Sequence, residues 1–165
     1  MLDRPNTLLF ALAASCLILP SAATGEGIPK VLLSEQHKAM CKVGVGDKLP
    51  GGVELGKQAT VVAFVNRDGW MTRQLLKDLP LDVQQPFGEA GVGLQVVLTG
   101  DGAPAAGKAP AVDDADGKLF AAVGSGATPR VYVMDGAGKI VWFDIEYVRS
   151  TRRELRQTLE ALTAK

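Results

Sequence analysis

A thiol and an imidazole stand four residues apart in the N-terminal part of the chain, at Cys41 and His37. On one helix, side chains at this spacing share a face. A protonated imidazole beside a thiol lowers the thiol pKa and favours the nucleophilic thiolate. The pair is therefore a candidate for single-cysteine redox catalysis or weak metal binding, although two ligands do not complete a metal site. The alternative interpretation is an unreactive thiol in an N-terminal arm.

The cysteine count restricts this chemistry, because the chain has 2 cysteines and the other, Cys16, lies in an apolar N-terminal run. Residues 1–23 are predicted to be a secretory signal peptide, because a basic residue precedes the apolar run and small residues follow a proline at its end. The alternatives are lipidation at Cys16 and a retained signal segment, and only these would make a membrane a partner. Cleavage would leave Cys41 as the single thiol of an exported, periplasmic or otherwise extracytoplasmic protein, unable to form an internal disulfide.

Composition and charge restrict the function further. The sequence has 165 residues, 47% of them hydrophobic, which suits one folded domain and is too apolar for a disordered chain. Lys plus Arg and Asp plus Glu both number 18, so bulk charge does not favour nucleic acid as a partner. Asp113, Asp114 and Asp116 lack the later glutamate of a calcium loop and predict a solvated turn. The sequence indicates no metal site and no cofactor.

Apolar runs and turn residues predict the elements that must position these side chains. The predicted strands comprise residues 51–55, 60–65, 94–98, 130–134 and 140–143. The predicted helices comprise residues 31–42, residues 70–79 with Asp68 as N-cap, residues 118–123, and a last helix from Thr151. Thr151 and Glu154 have the spacing of a capping box.

This order of elements predicts an α/β fold in which helices flank a central mixed sheet. The early strands and helices alternate, whereas glycines between the last two strands predict a hairpin. We expect a signal peptide at residues 1–23, an N-terminal arm at residues 24–45 and one domain at residues 46–163.

Three segments resemble thioredoxin-like proteins of the redoxin type, a group that includes exported bacterial thiol oxidoreductases. They are Gly-Asp-x-x-Pro at residues 46–50, Ala-Thr-Pro at residues 127–129 with the apolar strand after it, and Asp-Gly-x-Gly-Lys-Ile-Val at residues 135–141. The resemblance implies a thioredoxin-like fold. It also implies that Pro129 is a cis proline, with the backbone of Thr128 facing a bound ligand. A trans proline at the start of an edge strand is the alternative.

The same resemblance identifies what this chain lacks. The family places Cys-x-x-Cys at the start of the helix after the central strand, and here Gly69, Trp70, Met71 and Thr72 stand in those positions. A helix N-terminus activates the first cysteine of such a pair by lowering its pKa. Glycine supplies no nucleophile and threonine cannot resolve a mixed disulfide, so the dithiol reaction cannot run on these residues. A peroxidatic cysteine is absent from this segment as well.

Two functions are consistent with these observations. The first, which we favour, is a non-catalytic binding or accessory module that holds an extended peptide of an exported partner between residues 69–72 and Thr128–Pro129. An exposed Trp70 would suit such contact, whereas packing of Trp70 onto the neighbouring loop is the alternative. The second is a thiol-dependent redox enzyme, a thiol-disulfide oxidoreductase or a peroxidase, that uses Cys41.

Overall fold

The computed structural model describes residues 27–66, 69–101, 105–107 and 109–164. The predicted signal peptide with Cys16, and the predicted N-cap Asp68, lie outside the described residues. Within the part of the chain that is described, no helix is both long enough and apolar enough to cross a membrane.

Five strands of the described residues form a mixed sheet in the order β3-β2-β1-β4-β5. They are β1 (Ala59–Val65), β2 (Val92–Thr99), β3 (Ala111–Asp114), β4 (Arg130–Asp135) and β5 (Ile140–Asp144). The central strand β1 runs parallel to β2 and antiparallel to β4, and all of its residues are buried. Burial on both faces explains why β1 is almost continuously apolar instead of alternating with polar residues.

Helices cover both faces of the sheet. They are α1 (Glu35–Ala39), α2 (Trp70–Leu79), α3 (Gln85–Phe87), α4 (Lys118–Val123) and α5 (Arg149–Thr163), and a π-helical turn (Pro80–Gln84) joins α2 to α3. On one face α2, the π-helical turn, α3 and α5 pack against Val61, Ala63 and Val65. On the other face α4 packs with Val62 and Phe64. The predicted α/β fold, a central mixed sheet flanked by helices, is confirmed.

The sheet differs from the sequence prediction at two places. Residues 51–55 form no strand, because the backbone turns at Gly51 (φ +98°) and the N–H of Val53 donates back to the Gly51 carbonyl at 3.1 Å. Residues just before them pair with β5 instead, through a bond of 2.8 Å from the Gly46 N–H to the Ile140 carbonyl. Strand β3 was not predicted, because half of its residues are aspartates and only its last residue is buried.

Asp114 is the buried end of β3, so the predicted solvated turn is wrong for this residue. Its side chain is 3% exposed and accepts hydrogen bonds from the N–H groups of Leu119 (2.9 Å) and Phe120 (3.0 Å). The hydroxyl of Thr99 donates to it as well, at 3.0 Å. These bonds satisfy free N–H groups at the start of α4.

The N-terminal segment joins the fold, although its helix is shorter than predicted. Only α1 is helical, with the Ser34 hydroxyl accepting from the His37 N–H at 3.2 Å at its start and Met40 as its C-cap. Cys41 therefore lies beyond the helix, where it forms a β-bridge with Gly124. From Gly27 onward, apolar side chains of this segment pack against both faces of the sheet.

The last helix begins two residues earlier than predicted. Val148 is its N-cap, and Thr151 occupies the third helical position instead of the cap. The hydroxyl of Thr151 accepts from the Val148 N–H at 3.0 Å and donates to the Asp144 carboxylate at 2.7 Å. The threonine thus performs a capping role from inside the helix.

Candidate functional site

The loop that holds Thr128 and Pro129 meets the segment that follows β1 at one end of the sheet. β1 ends at Val65 and β4 begins at Arg130, and the register pairs Phe64 with Arg130. Asn66 follows β1 and donates its N–H to the hydroxyl oxygen of Thr128 at 3.2 Å, while that hydroxyl donates to the Asn66 side-chain oxygen. The loop before β4 is therefore fastened to the segment that leads from β1 towards α2.

The peptide bond between Thr128 and Pro129 is cis, which is the geometry that the resemblance implies. Pro129 is buried, and Thr128 is partly exposed. No hydrogen bond from another described residue reaches the N–H or the carbonyl of Thr128. Free backbone groups beside a strand are the kind with which an extended peptide pairs.

The second segment that the sequence predicts for the site is the start of α2. Gly69 is its N-cap, with extended backbone (φ −161°, ψ 166°), and apart from its neighbours in the chain no described residue has an atom within 4 Å of the position that a Cβ would occupy. Trp70 is 71% exposed and Met71 is 43% exposed, whereas Thr72 is 2% exposed. Three of the four residues that replace the family's cysteine motif thus form an open surface, while Thr72 belongs to the packing beneath it.

Arg130 organises the loop before β4. Its side chain is fully buried and donates to three backbone carbonyls: Nε to Ala127 at 3.1 Å, Nη1 to Met40 at 3.3 Å, and Nη2 to Ser125. The guanidinium also lies 5.2 Å from the centre of the Phe120 ring. One side chain therefore holds the loop and the N-terminal segment together.

Sequence reasoning missed both Arg130 and Asn66 as parts of this site. A signal for Arg130 was present, since an arginine opens a strand that is otherwise almost wholly apolar and buried. The side chain of such a residue must either bury its charge or point away from the core at the end of the strand. Asn66 gave no comparable signal, because a polar residue after a buried strand is usual at the start of a loop.

The structure does not join the imidazole of His37 to the thiol of Cys41. Cys41 Sγ donates to the main-chain carbonyl of His37 at 3.3 Å, while His37 Nε2 lies 3.7 Å from a carboxylate oxygen of Glu146. Burial raises the pKa of the Cys41 thiol, and the nearby charge of Arg130 partly opposes this shift. The thiol is therefore mainly protonated at neutral pH. Among the described residues, no group of three or more His, Cys, Asp or Glu side chains is placed to hold a metal ion.

Comparisons with known proteins match the fold and not the sequence. No protein-family model and no curated protein matches the chain. One matching structure is a protein from Chlorobium tepidum that has been assigned as the thiol:disulfide interchange protein DsbE. The two chains are 16% identical, and they superpose with a TM-score of 0.64 over 74% of this chain and 100% of that chain.

Two further structures match over a similar extent. The thioredoxin domain of a thiol-disulfide oxidoreductase from Bacteroides vulgatus has 15% identity and a TM-score of 0.54, over 72% of this chain and 97% of that chain. StoA from Bacillus subtilis has 16% identity and a TM-score of 0.52, over 73% of this chain and 98% of that chain. Likeness at these identities establishes the fold alone.

Proposed function

We propose that this chain, which has a thioredoxin-like fold, is a non-catalytic module that binds an extended peptide between residues 69–72 and Thr128–Pro129. The observation that carries the proposal is the backbone of Thr128, which has no hydrogen bond from another described residue and lies at the end of the sheet from which the chain leads to the exposed Trp70. The site offers backbone pairing and apolar contact, and it lacks a thiol at the start of α2.

Backbone pairing at Thr128 would hold a peptide without regard to most of its sequence. The ladder between β1 and β4 ends at the pair of Phe64 and Arg130, so Thr128 lies beyond its last pair. A net hydrogen bond contributes about 0.5–1.5 kcal/mol. One or two such bonds give weak binding, so the affinity must come largely from side-chain contacts.

Trp70 and Met71 supply those contacts. Both are exposed apolar side chains at adjacent positions of the first turn of α2. Tryptophan is enriched among residues that dominate binding energy, and methionine adapts its shape to different apolar partners. The proposed ligand is therefore an extended segment with at least one apolar side chain.

The predicted signal peptide at residues 1–23 would place this module outside the cytoplasm. Its ligand would then be a segment of another exported protein. The near balance of acidic and basic residues agrees with recognition that does not depend on the net charge of the partner.

Tryptophan fluorescence offers a direct test, because Trp70 is exposed and Trp142, at 1% exposed, is shielded. Short peptides from a reduced and carboxymethylated protein serve as probes. We expect some of them to change the fluorescence on titration, and Trp70→Ala to weaken their binding, measured by calorimetry, about tenfold. Leu81→Ala is the matched control, since Leu81 is 53% exposed but lies in the π-helical turn.

Backbone pairing is tested separately with the same peptides carrying N-methyl groups on alternate amides. We expect weaker binding of the methylated forms, because methylation removes the N–H donors. Equal affinities of the wild type and Trp70→Ala, or no binding of any peptide, would contradict the proposal.

A second candidate function is thiol redox catalysis by Cys41, favoured by the charge of Arg130 beside that thiol. Its test is turnover of an added disulfide or of hydrogen peroxide by the wild type and by Cys41→Ser. Turnover that disappears in Cys41→Ser would replace the non-catalytic proposal with an enzymatic one. Our proposal predicts no turnover above background for either protein.

A further inference from the structure

Methionine side chains border both segments of the proposed peptide site. At the start of α2, Met71 is 43% exposed and adjoins the exposed Trp70. At the loop before β4, Met40 is partly exposed, and its Sδ would lie only 3.1 Å from a Cβ on Gly126. Gly126 precedes Thr128 by two residues. Each segment of the site therefore carries a thioether.

Main-chain hydrogen bonds hold Met40 against this loop. The N–H of Ser125 donates to the Met40 carbonyl at 2.9 Å, and Arg130 Nη1 donates to the same oxygen at 3.3 Å. A peptide that pairs with Thr128 and continues along the loop would reach Gly126 within two residues, because an extended chain advances about 3.3 Å per residue. Met40 is therefore placed to contact the same peptide.

The third methionine of the described residues provides an internal reference. Met134 lies in β4, is 1% exposed, and packs in the core with Val62 and Phe64. Oxidation of a sulfur side chain requires that the oxidant reach it. In the folded protein, a peroxide should therefore oxidise Met40 and Met71 and leave Met134 unchanged.

Oxidation would change what these two side chains offer to a ligand. A methionine thioether is apolar and flexible, and it adapts to apolar partners of different shape. Its sulfoxide is polar and chiral, and it disrupts surfaces that depend on methionine. A peptide with an apolar side chain would therefore bind less tightly to the oxidised site.

We propose that Met40 and Met71 make peptide binding by this chain sensitive to peroxide, because oxidation to the sulfoxides removes their apolar contacts with the peptide. This inference rests on the proposed peptide-binding function and adds an oxidative control of the same site. The control is reversible, since methionine sulfoxide reductases return the sulfoxide to the thioether.

The oxidation by hydrogen peroxide balances without a further reagent. The thioether sulfur attacks one peroxide oxygen, an S–O bond forms, and the O–O bond breaks. Sulfur loses two electrons, and the second oxygen leaves with both peroxide protons as water. A thiol must first ionise to become a nucleophile, whereas a thioether has no proton to lose and reacts directly.

The test compares peptide binding before and after oxidation in the full chain with Cys16→Ser and Cys41→Ser, which contains no thiol. Hydrogen peroxide is added, and catalase then removes the excess. Mass spectrometry of proteolytic fragments locates the added oxygen and verifies that Trp70 is unmodified. We expect sulfoxide at Met40 and Met71 and none at Met134.

Binding is measured by calorimetry with the short peptides used to test the proposed function. We expect oxidation to weaken their binding about fivefold, because two apolar contacts become polar. Treatment with the two methionine sulfoxide reductases, one for each sulfoxide epimer, should restore the original affinity.

Met40→Leu with Met71→Leu is the variant that should lose this sensitivity. Leucine is apolar and close to methionine in volume, and peroxide does not oxidise it. Whatever the affinity of this variant before treatment, the ratio of its dissociation constants after and before peroxide should stay at about one. Met134→Leu is the matched control, which should be weakened by peroxide as much as the parent chain, and thermal unfolding verifies that both variants are folded.

The outcomes separate this inference from the proposed function. Equal affinities before and after complete oxidation of Met40 and Met71 would overturn the inference and leave peptide binding intact. An equal loss of affinity in the parent chain and in the double leucine variant would also overturn it, since another residue would then be responsible. If no peptide bound before oxidation, the proposed function itself would fail, and this inference would fail with it.

Discussion

The two halves of the candidate site differ in how firmly they are held. Thr128 bonds to Asn66, and the adjacent Arg130 binds three backbone carbonyls from a fully buried position. At the start of α2, by contrast, Gly69 has open space around it and Trp70 is 71% exposed. The loop half, which is Thr128–Pro129 with Arg130 behind it, is anchored in the core. The helix half, which is residues 69–72, lies mostly on the surface.

This difference bears on what cysteines at residues 69 and 72 would change. A cysteine at Gly69 would occupy open space, so its absence removes no packing. Thr72 fills the one buried position of the replaced motif. The scaffold of the site and the chemistry carried on it are therefore supplied by different residues, and one can change without the other.

Restoring the thiols gives the largest expected effect. Gly69 has extended backbone that any residue adopts, and Thr72 is close to cysteine in size. We expect Gly69→Cys with Thr72→Cys, in a chain with Cys16→Ser and Cys41→Ser, to change disulfide reduction from background to clear turnover, because the N-terminus of α2 lowers the pKa of the first thiol. Turnover is measured on an added disulfide with a dithiol reductant.

The matched control for this gain is Gly69→Ser with Thr72→Ser in the same background. It alters the same positions without sulfur and should stay at background. A folded double-cysteine variant that is also inactive would show that the helix half has no catalytic geometry even when thiols are present, and the comparison between the halves would fail.

Removing Arg130 should destabilise the protein most. Arg130→Met keeps much of the side-chain volume but removes three hydrogen bonds from a charged donor, each of which contributes about 1.5–3 kcal/mol. We expect the free energy of unfolding, measured in urea, to fall by about 3 kcal/mol or more. Trp70→Ala should change it by less than about 0.5 kcal/mol.

Arg156→Met is the control for loss of an arginine as such. Arg156 Nε lies 3.7 Å from a carboxylate oxygen of Glu160, and the two side chains are 57% and 62% exposed, so solvent weakens the pair. We expect a loss of about 0.5 kcal/mol or less. Similar losses for Arg130→Met and Arg156→Met would mean that burial of Arg130 does not matter in the way that the loop geometry indicates.

The fold was predictable because its main signals are local. The apolar run of β1, the hairpin glycines and the segment at residues 127–129 sufficed for the α/β class and the thioredoxin-like resemblance. β3 was not predictable, since an edge strand with Asp113 and Asp114 lacks an apolar pattern. Residues 51–55 were predicted to form a strand because their composition suits one. They form none, because the backbone turns at Gly51 and pairs with no neighbouring strand of the described residues.

The contacts within the candidate site were less predictable than the fold. Spacing on a helix suggested that His37 acts on Cys41, but α1 ends at Ala39 and the contact is made by the His37 carbonyl. Arg130 Nη1 donates to the carbonyl of Met40, the residue before Cys41, although Met40 and Arg130 are 90 positions apart in sequence. Sequence patterns within one element carry no information on such contacts.

The smallest predicted effect concerns the hydrogen bond between Thr128 and Asn66. Thr128→Val keeps the shape of the side chain but removes the hydroxyl that bonds to Asn66. We expect the free energy of unfolding in urea to fall by about 1 kcal/mol, while Thr128→Ser, which keeps the hydroxyl, should lose less. If Thr128→Val were as destabilising as Arg130→Met, the link to Asn66 and not the buried guanidinium would hold the loop. If only Arg130→Met lowered the free energy of unfolding, the buried guanidinium and not the bond to Asn66 would hold the loop in place. Thr128 would then serve mainly to present its backbone at the surface.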